Sequence, residues 1–297
     1  MKIDINTKMI TLLGKPLGQS FAARMQNAGY EAAGLNMLYF YTEVDKDHLG
    51  DVVNGLRYMN FAGFAVTKPN KVRVLRYLDE LDPLCKKMGA SNTVVKTPEG
   101  KLIGYNTDGV GFYTSLVEEG KINVEESTFF CFGAGGAGRA MCSVLAYHGA
   151  KKIYITDFYE PCAESLVMDI NENFAPVAEL VHHGDYAKIA ECNVVMNASG
   201  IGMGSTIGQT PMPVEHIQPG QFYFDACYNP DKTQFLLNAE EKGCQVLNGL
   251  GMSLYQGAAQ IELWTGEKAP VEAMRKELMD ILTDIGSDPK NHMHILS

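Results

Sequence analysis

The sequence predicts an α/β protein of two domains. Two observations carry that expectation. Strand-like and helix-like runs alternate through the first third of the chain. A second alternating series then starts near residue 108, around a glycine-rich turn set between an apolar strand and a helix. At 297 residues the chain is long enough for two ordinary domains, and 46% apolar residues supply a sizeable core.

The elements follow in order. MITLLG (9–14) is an apolar run ended by glycine and reads as the first strand. AARMQNAGYEAAG (22–34) reads as a helix that stops at Gly34. The aromatic-rich MLYFYTEV (37–44) reads as a second strand, DKDHLGDVVNGLRYM (45–59) as a second helix and GFAVT (63–67) as a third strand. KVRVLRYLDEL (71–81) has apolar residues at 72, 74, 75, 78 and 81, which predicts a helix. SNTVVKTPEGKLIGYNTDG (91–109) reads as two short strands joined by a turn at Pro98-Glu99-Gly100. Repeated βα units predict a mostly parallel sheet with helices on both faces.

The second series opens with a helix in YTSLVEEGKI. EESTFFCFGAGGAGRAMCSVLAYHGAKKIYITDF then reads as strand, glycine turn, helix, strand. Further strands are expected at 193–199, 221–227 and 244–249, and the chain turns helical after Gly249 to near Ile285. This spacing fits a doubly wound nucleotide-binding unit.

Charge and composition exclude several classes. A net charge of −10 without a Lys/Arg block disfavours nucleic acid and anionic membrane as partners. No stretch approaches the ~18 apolar residues of a membrane span, and MKIDINTKMI lacks a secretory h-region. Seven scattered cysteines without a C-x-x-C pair predict reduced thiols in a cytoplasm. No metal site is expected. His292-Met293-His294 reads as part of a frayed polar tail.

The sequence GAGGAG places Gly133, Gly135 and Gly138 in a G-x-G-x-x-G pattern that follows the strand TFFCF and opens a helix. Gly133 permits the tight turn, Gly135 admits a pyrophosphate to the backbone and Gly138 allows close helix–strand packing. The helix N-terminus offers N–H groups and partial positive charge to phosphates. Asp157 ends the next strand, 24 residues after Gly133, where a carboxylate reads the adenosine ribose and repels a 2′-phosphate. No Arg or Lys follows before Glu160, so NAD is expected over NADP.

Together the motifs resemble the shikimate/quinate dehydrogenase family over about residues 10–270. The family's G-x-P-I-x-H-S-x-S-P is similar to GKPLGQSFAA (14–23), G-x-N-V-T-x-P-x-K to GFAVTKPNK (63–71), G-A-x-N-T to GASNT (89–93), and G-x-N-T-D-G-x-G to GYNTDGVG (104–111). GAGGAGRA, NASGIGM (197–203), DACYNPDKTQFL (225–236) and GLGMSLYQGAAQIELWTG (249–266) complete the set, in order. The resemblance implies reversible hydride transfer between a nicotinamide and a secondary alcohol on a cyclic polyol carboxylate. It implies a substrate domain over residues 1–106, a Rossmann-type NAD-binding domain over 107–249, and C-terminal helices over 250–297 returning to the substrate domain. A monomer or homodimer is expected.

Residue by residue, the resemblance implies an acid/base pair of Lys71 and Asp108. Lys71 is also read as the first residue of a helix, where the dipole disfavours a cation, which is odd for a structural choice; Lys68 falls at the variable position. Ser20 matches a carboxylate ligand, Thr67 and Asn92 match hydroxyl ligands, Gln256 a substrate contact and Tyr228 a tyrosine near the carboxylate. Gly136 and Ala137 inside the glycine turn, with Asn197, Ser199 and Gly249, complete the cofactor set. The intact Lys71/Asp108 pair argues against a non-catalytic metabolite sensor on the same fold.

Two departures from the pattern stand out. The second serine of the N-terminal motif is Ala22, flanked by Gln19 and Ala23 for histidine and proline, and the asparagine of N-V-T is Ala65. Each removes a hydrogen-bonding group from an expected substrate wall, costing about 1–3 kcal/mol if a partner stays unpaired. A shifted substrate is therefore expected: quinate, an amino-shikimate or another cyclic polyol acid. Arg24 is read as a surface residue of its helix rather than a replacement charge.

Overall fold

The structure, a computed structural model, describes residues 3–18 and 20–287. The chain divides into two compact units: residues up to Thr107 with those from Leu254 onward, and Asp108–Ser253. His292 and His294 lie outside the described residues, as does Gln19.

The first unit begins with strand β1 (Lys8–Gly14), helix α1 (Ala22–Ala32), β2 (Met37–Glu43), α2 (Leu49–Tyr58) and β3 (Phe61–Val66). β4 (Glu80–Leu81), α3 (Pro83–Met88), β5 (Thr93–Lys96) and β6 (Leu102–Tyr105) follow. The sheet order is β2-β1-β3-β5-β6-β4. β1 runs parallel to β2 and β3, whereas β5 is antiparallel to both its neighbours, β3 and β6; a tight turn makes β5 and β6 a hairpin. α2 shows why periodicity works here. Leu49, Val53 and Leu56 fall on one face and are buried with Phe61, Phe64 and Val66 of β3. Each such side chain contributes about 1.5–3 kcal/mol on burial.

The second unit contains α4 (Thr107–Glu118, whose first residue closes the first unit), β7 (Thr128–Phe132), α5 (Gly136–Tyr147), β8 (Lys152–Thr156), α6 (Glu160–Asn173) and β9 (Ala178–Leu180). It continues with β10 (Val194–Asn197), β11 (Phe222–Asp225), α7 (Gln234–Glu241) and β12 (Gln245–Asn248). Every ladder in its sheet is parallel, in the order β12-β11-β10-β7-β8-β9. The order reverses between β7 and β10, which opens a crevice at their C-terminal ends. α8 (Leu250–Thr265) and α9 (Val271–Ser287) end the described chain. α9 lies against α1 in the first unit: Arg24 Nε donates to Glu277 at 2.7 Å and Nη1 to Asp284 at 3.3 Å, so Arg24 is a surface clamp between helices.

The helix expected over 71–81 does not form. Only Arg73–Tyr77 makes a short 3₁₀ turn, and Leu78 returns to extended backbone. Asp79 N–H donates to the Leu102 carbonyl, and Glu80 and Leu81 pair with β6. Sheet pairing overrides the apolar periodicity, and Val72 stays 61% exposed. The dipole argument for Lys71 falls with the helix.

Candidate active site

In the first unit the relevant residues gather where β1, β2 and β3 end. Thr67 N–H donates to the Leu13 carbonyl at 2.8 Å, and Val66 N–H to the Asn92 carbonyl at 2.8 Å. The segment after β3 then turns back: Asn70 N–H reaches Thr67 O, and Lys71 O accepts the Ser91 N–H at 2.9 Å. Asn70 is fully buried and its Nδ2 donates to the Val44 carbonyl, which pins this turn to the end of β2. Lys71 and Thr67 are half-buried beside it, whereas Lys68 is exposed.

Asn92 sits at the centre of a buried polar chain. Its Oδ1 accepts the Thr107 N–H at 2.7 Å and the Thr93 hydroxyl at 2.9 Å, and its Nδ2 donates to Gln256 Oε1 at 3.4 Å. Gln260 Nε2 donates to Thr93 Oγ1 at 2.9 Å, and Gln26 Nε2 donates to Gln260 Oε1 at 3.0 Å. Gln26, Thr93, Thr107 and Gln260 are all nearly or fully buried. In such a setting a missing partner costs more than a satisfied bond gains. Sequence reasoning missed Gln26, Thr93, Thr107 and Gln260, because no local spacing links α1, β5, the start of α4 and α8. A buried position for each polar residue is the signal that finds them.

Ala65 does not line an exposed wall. It is 1% exposed within β3, with Leu12 and Thr93 as its Cα partners across the sheet. Its replacement of an amide is a core change beside the polar chain. Ser20 precedes α1, and its Oγ accepts the Ala22 N–H at 3.3 Å.

In the second unit, Asp108 is the first-turn acid of α4 and is half-buried. Tyr228 follows β11, also half-buried. The glycine turn lies between them in sequence. Gly133 has φ +99, and a Cβ there would meet the Ser199 backbone at 2.6 Å; a Cβ on Gly138 would lie 1.9 Å from the Gly133 carbonyl. At Gly135 and Gly136 no heavy atom lies within 4 Å of such a Cβ, so the outer side of the turn is open. Gly135 caps α5 with no side-chain bond, which leaves the first-turn N–H groups of Gly136, Ala137 and Gly138 for an anion. These features fit a dinucleotide pyrophosphate.

Asn197 is fully buried and shapes the neighbouring loop rather than facing it. Its Oδ1 accepts the Ser199 hydroxyl at 2.6 Å, and its Nδ2 donates to Ile201 O and Asp225 Oδ1. Ser199 is exposed, and Gly249 N–H donates to the Cys227 carbonyl. Burial pushes the Asp225 carboxyl up, opposed by hydrogen bonds from Thr233, the Cys227 N–H and Asn197.

Among the described residues there is no group of three His, Cys, Asp or Glu side chains able to hold a metal, and no helix long and apolar enough to cross a membrane.

Residues 12–94 match the family model of the shikimate dehydrogenase substrate binding domain, and residues 249–279 that of the shikimate 5′-dehydrogenase C-terminal domain. A Desulforamulus reducens protein named shikimate dehydrogenase (NADP(+)) is 40% identical, over 93% of this chain and 96% of its own. Shikimate 5-dehydrogenase from Listeria monocytogenes, solved with shikimate and NAD, is 37% identical with a TM-score of 0.89, covering 94% of this chain and 98% of that one. The Thermus thermophilus enzyme, solved with NADP(H) and shikimate, is 29% identical with a TM-score of 0.83, covering 92% and 99%.

The expected preference for NAD does not stand. The Desulforamulus relative is named for NADP(+), and the Thermus enzyme was solved with NADP(H). The geometry explains why Asp157 misled. Its Oδ2 accepts the Ala134 N–H at 2.7 Å and its Oδ1 the Tyr159 N–H at 2.8 Å. Both carboxylate oxygens brace backbone, so the residue's position alone does not make it a reader of the ribose.

Proposed function

The chain belongs to the shikimate dehydrogenase family, and on that premise we propose that it interconverts a ring secondary alcohol and its ketone on a shikimate- or quinate-like carboxylate, with NADP(H) as redox partner. The observation that supports this most is the gathering of Thr67, Lys71, Asn92 and Gln256 in one unit, on a buried polar frame at the strand ends.

Oxidising the alcohol removes a hydride from carbon and a proton from oxygen. The dinucleotide, when bound, supplies the hydride acceptor. Gly133, Gly135, Gly136, Ala137 and Gly138 would hold its pyrophosphate, with Ser199 beside the turn. Lys71, with Asp108 as its acid/base partner, takes the hydroxyl proton in oxidation and returns it in reduction. Thr67, Asn92 and Gln256 bind ring hydroxyls and set the face presented for hydride transfer. Ser20 and Tyr228 take the carboxylate end.

The test is a steady-state panel of shikimate, quinate and an amino-shikimate with NADP(+). Formation of NADPH with at least one ring acid is expected. Tight binding of these acids with no reduced dinucleotide formed would contradict the reading and favour a sensor.

A further inference from the structure

The loop that carries Ser20 is held from one strand. Tyr41 and Glu43 stand two residues apart on β2 and so share a face of the sheet. Glu43 Oε1 accepts the Leu17 N–H at 3.0 Å. The Tyr41 hydroxyl donates to the Ser20 carbonyl at 2.5 Å and accepts the Ala23 N–H at 3.0 Å.

That second bond answers a helix problem. Ala23 lies in the first turn of α1, where N–H groups have no partner within the helix. The N-cap residue is Phe21, which makes no side-chain cap. The cap is assembled from elsewhere: Ser20 Oγ takes the Ala22 N–H, and Tyr41 takes that of Ala23. In the S-x-S-P motif that this stretch resembles, the position of Ala23 is proline, which has no N–H to satisfy. Alanine there creates a donor, and the Tyr41 hydroxyl meets it. One residue earlier, Ala22 removes a serine hydroxyl from the same turn.

We propose that Tyr41 is a positioning residue for substrate binding. Its hydroxyl fixes the Ser20–Ala23 turn, so that Ser20, its oxygen already accepting the Ala22 N–H, directs its proton to the substrate carboxylate. With one serine in place of two, the orientation of that hydroxyl carries more of carboxylate recognition. The inference rests on the family reading of Ser20 as a carboxylate ligand.

The experiment compares wild type, Tyr41→Phe and the double variant Tyr41→Phe/Ala23→Pro. Titration calorimetry gives Kd for shikimate and for its methyl ester, and initial rates with saturating NADP(+) give KM and kcat. Tyr41→Phe is expected to raise Kd and KM for shikimate about three- to tenfold, the scale of one hydrogen bond, with kcat unchanged to about twofold. Kd for the ester, which lacks the carboxylate charge, is expected to move less than about twofold by the same scale. Proline is tolerated in a first helical turn, so Ala23→Pro removes the stranded donor and recovers part of the lost shikimate binding in the double variant, the bond to the Ser20 carbonyl staying absent. Unchanged shikimate affinity in Tyr41→Phe, or equal weakening of acid and ester, would each overturn the proposal. If quinate or an amino-shikimate binds in place of shikimate, that acid and its methyl ester are the pair compared; wild-type protein that binds no ring acid of the panel would overturn the family reading of the site, and this inference with it. Binding without turnover would sink the proposed activity alone, and the Kd comparison would still decide the role of Tyr41.

Discussion

Asn92 holds Thr107: its Oδ1 accepts the Thr107 N–H at 2.7 Å, and its Nδ2 donates to the Thr107 hydroxyl at 3.0 Å. One side chain thus fixes the first residue of α4 while its amide also reaches Gln256. The proposed hydroxyl ligand Asn92 is thus also part of the local hydrogen-bonded frame. Replacing Asn92 with leucine strands the Thr107 N–H in a buried site, while the Thr93 hydroxyl keeps Thr107 Oγ1 and Gln260 as partners. A loss of about 1–3 kcal/mol is expected from the one stranded group, read by urea denaturation.

Gln260 sits one step further back, between Thr93 and Gln26. Gln260→Leu is expected to lower stability by about 1–3 kcal/mol, because Gln26 and Thr93 both lose a partner in a buried setting. A combined Gln26→Leu/Gln260→Leu variant is expected to be less destabilised than the sum of the singles, since the two amides bond each other. Strict additivity in denaturation midpoints would show that they act separately.

Much of this frame is invisible in the sequence, and the reason is physical. β1, β2 and β3 announce themselves through apolar runs and flanking turns, and the glycine turn through its spacing between strand and helix. The polar chain joins residues more than two hundred positions apart, so no window of sequence contains it. The Tyr41 clasp is hidden in the same way, in a strand that reads only as aromatic-rich. At 71–81 the apolar periodicity was real, but pairing of Glu80 and Leu81 with β6 outweighed it. Asp157 shows a different limit: its place was legible, while the two backbone N–H groups that take its oxygens were not.

The two lysines that flank the turn after β3 differ in burial, Lys71 half-buried and Lys68 exposed, and the proposed chemistry falls to Lys71. Lys71→Ala is expected to reduce kcat by about 10²–10⁴, the range for loss of a general acid/base, with NADP(+) affinity intact. Lys68→Ala, at an exposed position, is expected to leave kcat within about twofold. Near-normal turnover by Lys71→Ala would remove it from the mechanism.

Gly138→Ala tests the dinucleotide turn. A Cβ there would lie 1.9 Å from the Gly133 carbonyl, so the turn must open. NADP(+) binding is expected to weaken by at least about tenfold, or ~1.4 kcal/mol, while shikimate affinity measured without dinucleotide stays the same. Calorimetry with each ligand separately checks both halves.

A pH dependence follows from Asp79. The Arg57 guanidinium and the Leu102 N–H hold its carboxyl below the ordinary value of 3.8. A depressed carboxyl contributes stability that is present above its unfolded value and is lost as pH falls through its folded one. Asp79→Asn is therefore expected to lower Tm at neutral pH, with the gap from wild type closing as pH drops below 3.8. A gap that stays constant across that range would show that the charge is not what matters.

The proposed reaction is hydride transfer from a ring carbinol, and isotopic labelling tests that most directly. Shikimate and quinate, each deuterated at the reacting carbinol carbon, are incubated separately with the protein and NADP(+), and the nicotinamide is then examined by proton NMR. Deuterium on the nicotinamide ring, on one face only, is the expected result. Protein that binds dinucleotide and a ring acid yet leaves the label on both acids would contradict this chemistry.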